Sequence, residues 1–231
     1  MPDDKRLPNW IDSLPGSWTA GYDRSVLEQA RAAYDAGARR YHTWDHVVAC
    51  VEHLRTFPCD NPRTVFLTLV FHDAIYVAGR TDNEVVSADL AREVLSTQPS
   101  ISEAERAAIE RMILATKNHH DPELQPDADT RALLDLDLSI LGASRDEYTR
   151  YARAIRDEFV PAATTDARFR IGRITFLLRM LSRPFIYFTA EGRARWDAKA
   201  RENILWECES LGREQGFLGR LITAIRVFRT I

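Results

Sequence analysis

Apolar residues recur at helical spacing from one end of this chain to the other, and no stretch sustains the period-2 alternation of β-branched residues that a half-buried strand requires. The pattern therefore predicts an all-α protein. The spacing places helices at about 24–36, 43–55, 63–76, 82–95, 102–119, 130–141, 144–159, 166–181, 193–211 and 217–229. Gly37 and Gly142 read as helix stops, Asp82 as an N-cap, and Ser102-Glu103-Ala104-Glu105 and Ser144-Arg145-Asp146-Glu147 as capping boxes. The 63–76 segment is apolar almost all round, through Phe66, Leu67, Leu69, Val70, Phe71 and Ile75, so it should be the central buried element. No internal repeat, low-complexity tract or long linker interrupts the series. The expected architecture is a single compact multi-helix bundle over 23–231, after a loop-like, proline-containing extension over 1–22.

Composition narrows the partners. With 231 residues, 45% of them hydrophobic and 28% charged, the chain can bury a substantial core. A net charge of −3 supplies no broad positive field, so duplex nucleic acid is not an expected partner. Arginines beside a pocket would still suffice for a small phosphorylated molecule. Cys50, Cys59 and Cys208 are odd in number and lack Cys-x-x-Cys spacing, which fits a reduced, cytoplasmic setting. Residues 1–16 carry no apolar core of a signal peptide, and the apolar run 65–77 is short and broken by Thr68, His72 and Asp73. Neither export nor membrane insertion is expected.

Against that background the oddest placement is His72-Asp73, near the end of the most hydrophobic helix. A buried ionised Asp loses several kcal/mol of hydration unless a cation compensates it. A divalent metal would do so; a helix N-terminus or a buried arginine would serve equally well. Tyr41-His42-Thr43-Trp44-Asp45-His46 puts two histidines four apart, on one helix face if the first turn is already wound. Leu133-Leu134-Asp135-Leu136-Asp137-Leu138 sets two carboxylates in an apolar helix, on different faces, so at most one is a ligand. Nitrogen and oxygen donors of this kind suit Mn, Fe, Ni or Mg better than a thiolate zinc site.

The order His, His-Asp, Asp on successive helices resembles the HD-domain superfamily of metal-dependent phosphohydrolases. The likeness extends to Phe71-His72-Asp73 with Tyr76, Asp82-Asn83-Glu84 followed by Ser87-Ala88, Thr116 followed by His119, and Asp135-Leu136-Asp137-Leu138 with Leu141-Gly142. Ile186-Tyr187, Ala200-Arg201-Glu202-Asn203 and Glu207 continue it, so it spans about 40–211. The resemblance implies an HD-type helical domain in which His46, His72, Asp73 and Asp137 bind one or two divalent ions, and a metal-bound hydroxide attacks a nucleotide or another small phosphorylated metabolite. The Tyr-His-x-x-x-His element is similar to that of cyclic nucleotide phosphodiesterases, which makes His42 the candidate general acid. Asp82 and Glu84 are further catalytic candidates, although helix capping explains them as well. His119 or His120 would bind a second metal or the phosphate, and Arg40, Arg80 and Lys117 are phosphate candidates that surface solvation also explains. Two alternatives stay open: a di-iron oxygenase of HD type, and a metal-binding signalling module without turnover.

Overall fold

The structure, a computed structural model, describes residues 10–36, 38–119 and 126–213. Among these residues no strand occurs, and the long elements are nine helices: α1 (Ser25–Tyr34), α2 (Trp44–Leu54), α3 (Pro62–Phe71), α4 (Asn83–Ser96), α5 (Glu103–Ala115), α6 (Ala128–Asp137), α7 (Arg145–Phe159), α8 (Asp166–Ser182) and α9 (Ala198–Arg213). The expected helix over 217–229 and the stop at Gly37 lie outside the described residues.

Helix α3 is the hub, as its all-round apolarity predicts. Every residue from Val65 to Phe71 is buried, and α3 packs against α1, α2, α4, α5 and α6. The core continues through Tyr148 on α7, Leu177 on α8 and Ile204 on α9. The segment expected as a loop-like extension is instead part of this core over its described portion. It forms a helical turn at Gly16–Thr19, buries Ile11, Leu14 and Trp18, and stacks Trp18 on Phe66 with ring centroids 5.7 Å apart.

Several boundaries depart from the periodicity because side chains compete for the backbone. Helix α3 ends at Phe71, not near Tyr76. The Arg39 guanidinium donates to the carbonyls of Asp73 (2.6 Å) and Ala74 (2.7 Å), and Ser87 Oγ and Asn83 bind the backbone of Ile75 and Val77. Asn83 and Ser87 thus fasten the loop after His72-Asp73 onto α4. Asp82 occupies the N-cap position of α4 as expected, but its side chain makes no capping bond and pairs with Arg80 instead. Ser102 caps Glu105 N–H without the reciprocal bond, whereas Ser144 and Glu147 form the full capping box. The expected 130–141 helix starts earlier, at Ala128 behind the Asp127 N-cap, and finishes as a 3₁₀ turn over Leu138–Gly142. The expected 193–211 helix opens as a π turn over Arg193–Asp197 before α9.

Candidate metal centre

Three helices deliver one ligand-type side chain each to a common point. His46 stands in the first turn of α2, His72 caps the C-terminus of α3, and Asp137 closes α6. His46 Nε2 lies 2.9 Å from Asp137 Oδ1, and His72 Nε2 lies 3.3 Å from His46 Nε2 and 3.4 Å from Asp137 Oδ1. One donor atom from each falls within 4.8 Å of the others, a group able to hold a metal ion. Asp73, expected as a fourth ligand, flanks this trio with Oδ2 3.1 Å from His72 Nε2.

Protonation chemistry shows what holds such a trio together. His72 Nδ1 lies 2.8 Å from the Leu69 carbonyl, which only accepts, so that nitrogen carries the proton. In the neutral ring Nε2 then aims a lone pair at a second imidazole nitrogen and two carboxylate oxygens. Electron-rich atoms packed together out of water repel unless a cation joins them. A proton on His72 is one such cation. Burial disfavours it, but Asp73 and Asp137 outweigh burial and hold the imidazole pKa well above its ordinary value. Burial likewise raises the Asp73 and Asp137 carboxyls, yet the facing histidines hold both below the usual carboxylate range. A divalent metal is the other cation that fits, and two imidazoles with a carboxylate and no thiolate suit a first-row or hard ion. Cys50 Sγ sits 3.7 Å from His46 Nδ1, but burial pushes its thiol pKa well up and disfavours the thiolate. The Tyr41 hydroxyl, 3.1 Å from His46 Nδ1, orients that ring from behind.

Asp135 and Asp137 divide as their two faces require. Asp135 turns away and clamps the backbone of Phe188 (2.7 Å) and Thr189 (2.8 Å), with the Thr189 hydroxyl donating at 2.6 Å. Gly192 packs so closely on that carboxylate that an added Cβ would collide with it. Asp137 keeps both oxygens on histidines: Oδ1 faces His46 and His72, and Oδ2 accepts from His119 Nε2 at 2.6 Å. His120 lies outside the described residues.

His42 precedes α2 instead of lying on its first turn, because Glu158 organises the loop before the helix. Glu158 Oε2 accepts from the backbone N–H groups of Arg40 (2.8 Å), Tyr41 (3.0 Å) and His42 (3.3 Å), while Oε1 accepts from His42 Nδ1–H. Burial raises the Glu158 carboxyl, but His42 and these N–H groups draw it down to about 2. The Tyr76 ring stacks on His42 with centroids 3.9 Å apart, so His42 is held from two sides. It stands 6.4 Å from the His46 ring.

The other expected residues are more scattered. Asp82 and Arg80 pair with each other at the surface, and Lys117 Nζ donates to the Thr81 carbonyl. Glu84 lies in the first turn of α4, close enough to Tyr76 to add slightly to the burial that raises that phenol's pKa. The Arg40 side chain is exposed and lines a cavity of about 780 Å³ that reaches His46, alongside Arg150 and Arg195. A second cavity, of about 440 Å³, opens on Asp137, His119 and His42 from the other side, and Tyr41, Ile140 and Tyr151 border both spaces. Arg168 and Arg173 line this second cavity; Arg173 is buried, bidentate to Glu207 at 2.9 and 3.1 Å, and sits over the Tyr151 ring. Arg201 and Asn203 bind carbonyls of Leu181, Arg183, Leu141 and Ala143, so they fasten α9 to the body.

Sequence reasoning missed Glu158, Arg39 and Arg173. Glu158 was within reach: Tyr148, Tyr151, Ile155 and Glu158 fall at helical spacing on the buried face of α7. Among the described residues no helix is long and apolar enough to cross a membrane. Comparison of the chain with known protein families, with curated proteins and with solved structures finds no match.

Proposed function

We propose that this chain is a divalent-metal-dependent phosphohydrolase acting on a nucleotide or another small phosphorylated metabolite. The observation that carries the reading is the convergence of His46, His72 and Asp137 on one point, a group able to hold a metal ion, beside a cavity of about 440 Å³. The resemblance of the His, His-Asp, Asp order to HD-domain phosphohydrolases supports it. When bound, a divalent ion would lower the pKa of a coordinated water and offset charge on a phosphoryl group. The chain's own part is to hold the ion through the trio, with Asp73 flanking His72. His42, oriented through Nδ1 by Glu158, is suited to holding a proton for the leaving oxygen. The stack of Tyr76 on His42 restrains the ring for that task.

A second reading rests on Asp137, whose Oδ2 faces His119 at 2.6 Å while Oδ1 faces the other two histidines. A carboxylate shared between two histidine sets favours two ions, which suits the di-iron oxygenase alternative. Metal analysis of protein purified without chelator, followed by turnover of nucleotides and phosphomonoesters with added Mn, tests both. Retained metal, with turnover lost at least ~100-fold in His72→Ala, supports the hydrolase. Absence of any retained or required metal overturns it, and two irons per chain without hydrolysis replace it with the oxygenase.

A further inference from the structure

The cavity beside Asp137 is built from unlike halves. Its lining combines the polar groups Asp137, His119 and His42 with apolar walls of Ile155, Phe159, Phe169 and Phe176 and the Tyr151 ring. Three of the polar groups along those walls are already engaged, while the exposed Arg168 and the half-buried Thr164 also line the cavity. Arg173 is committed to Glu207, Tyr151 interacts with Arg173, and the Tyr41 hydroxyl lies against His46 Nδ1. A hydroxyl placed against Ile155, Phe159, Phe169 or Phe176 would stay unpaired, and each buried unpaired hydroxyl lowers affinity about tenfold or more. At about 440 Å³ the space is near the small end of the range for ligand sites.

Gly172 supplies an independent observation. It lies within α8, where a helix interior disfavours glycine relative to alanine. Close packing does not demand it: an added Cβ would meet nothing within 4 Å, whereas at Gly142 it would strike Trp196. Gly172 is exposed and lines the cavity, so a side chain added there has room to reach over its apolar wall.

From these features we infer that the cavity takes a phosphate ester whose organic part is an apolar aromatic ring system, with the phosphoryl group at Asp137, His119 and His42 and the ring among Phe169, Phe176 and Ile155. The inference rests on the phosphohydrolase reading for its phosphoryl end, and on the cavity walls alone for its ring. Of the two substrate classes proposed above it favours the non-nucleotide one, and it ranks nucleotides and sugar or glycerol phosphates below aromatic esters.

Calorimetric binding to the full chain with added Mn tests it, using 1-naphthylphosphonate, methylphosphonate and 2,3-dihydroxypropylphosphonate as ligands that are not hydrolysed. The naphthyl compound should bind at least about tenfold more tightly than the dihydroxypropyl one. Gly172→Leu adds volume where there is open space and replaces a helix-breaking residue, so it should fold. It should weaken naphthylphosphonate about tenfold or more and methylphosphonate by less than about threefold. Equal affinities for the naphthyl and dihydroxypropyl compounds, or a uniform loss in Gly172→Leu, would overturn the assignment. Turnover of 1-naphthyl phosphate and glycerol phosphate is measured alongside. Naphthyl preference in binding without turnover of either ester supports the ring site and removes the hydrolase reading; turnover that favours glycerol phosphate removes the ring site alone.

Discussion

Glu158 shows how one carboxylate can hold several parts of a site in register. It is buried, accepts three consecutive backbone N–H groups from the loop before α2, and fixes the Nδ1 of His42. Glu158→Gln keeps the shape but replaces an acceptor oxygen with a donor facing N–H groups. We expect a loss of about 1–3 kcal/mol in urea unfolding at pH 7. Because the folded carboxyl titrates near 2, below its ordinary value, the native state binds fewer protons than the unfolded chain in that range. The contribution of Glu158 is therefore complete above the ordinary carboxyl pKa and disappears as pH falls toward 2. The difference in stability between wild type and Glu158→Gln should shrink on going from pH 7 to pH 3; a constant difference would contradict the assignment. The residue-scale features that sequence reading reached, His46, His72 and Asp137, are those whose polarity conflicts with an apolar neighbourhood. Arg39 escaped because it acts on carbonyls of Asp73 and Ala74, 34 and 35 positions away, and backbone acceptors leave no mark in a sequence.

At the scale of elements, periodicity identified α2, α4, α7 and α8 to within one residue at each end, since each buries one face against neighbours. It failed where long-range side chains override local preference, at the end of α3 and at the π turn before α9. Helix α6 makes the distinction within one element, two residues apart. Asp135 ties α6 to the 188–189 backbone, and Asp137 serves the histidines. Asp135→Ala should therefore reduce unfolding free energy by about 1–3 kcal/mol while leaving the metal content intact. Asp137→Ala should abolish metal retention, and in the metal-free protein it also removes the carboxylate that pairs with His46, His72 and His119. Metal analysis and denaturation on the same two variants would reveal whether the roles have been exchanged.

The whole molecule closes around α3 from both chain directions. Trp18, well before the first long helix, stacks on Phe66, while the Arg173–Glu207 pair with Tyr148 joins α7, α8 and α9 on the far side. Trp18→Ala should reduce stability by about 3–5 kcal/mol, read from the urea midpoint, whereas a true loop extension would tolerate the change. The organisation by composition and period did not reveal this because 10–22 is too short and too rich in proline and glycine to show a helical repeat. The lone-pair cluster also carries a thermodynamic consequence for the entire fold. An ion that binds only the assembled trio shifts the folding equilibrium by mass action, by about 2.7 kcal/mol at a concentration 100 times its dissociation constant. For a chain of this size that corresponds to a rise in melting temperature on the order of 5–10 °C. A set of thermal melts across Mn, Fe, Ni and Mg would then rank the ions by affinity without any substrate, and a melting temperature unmoved by all four would speak against a metal at the trio.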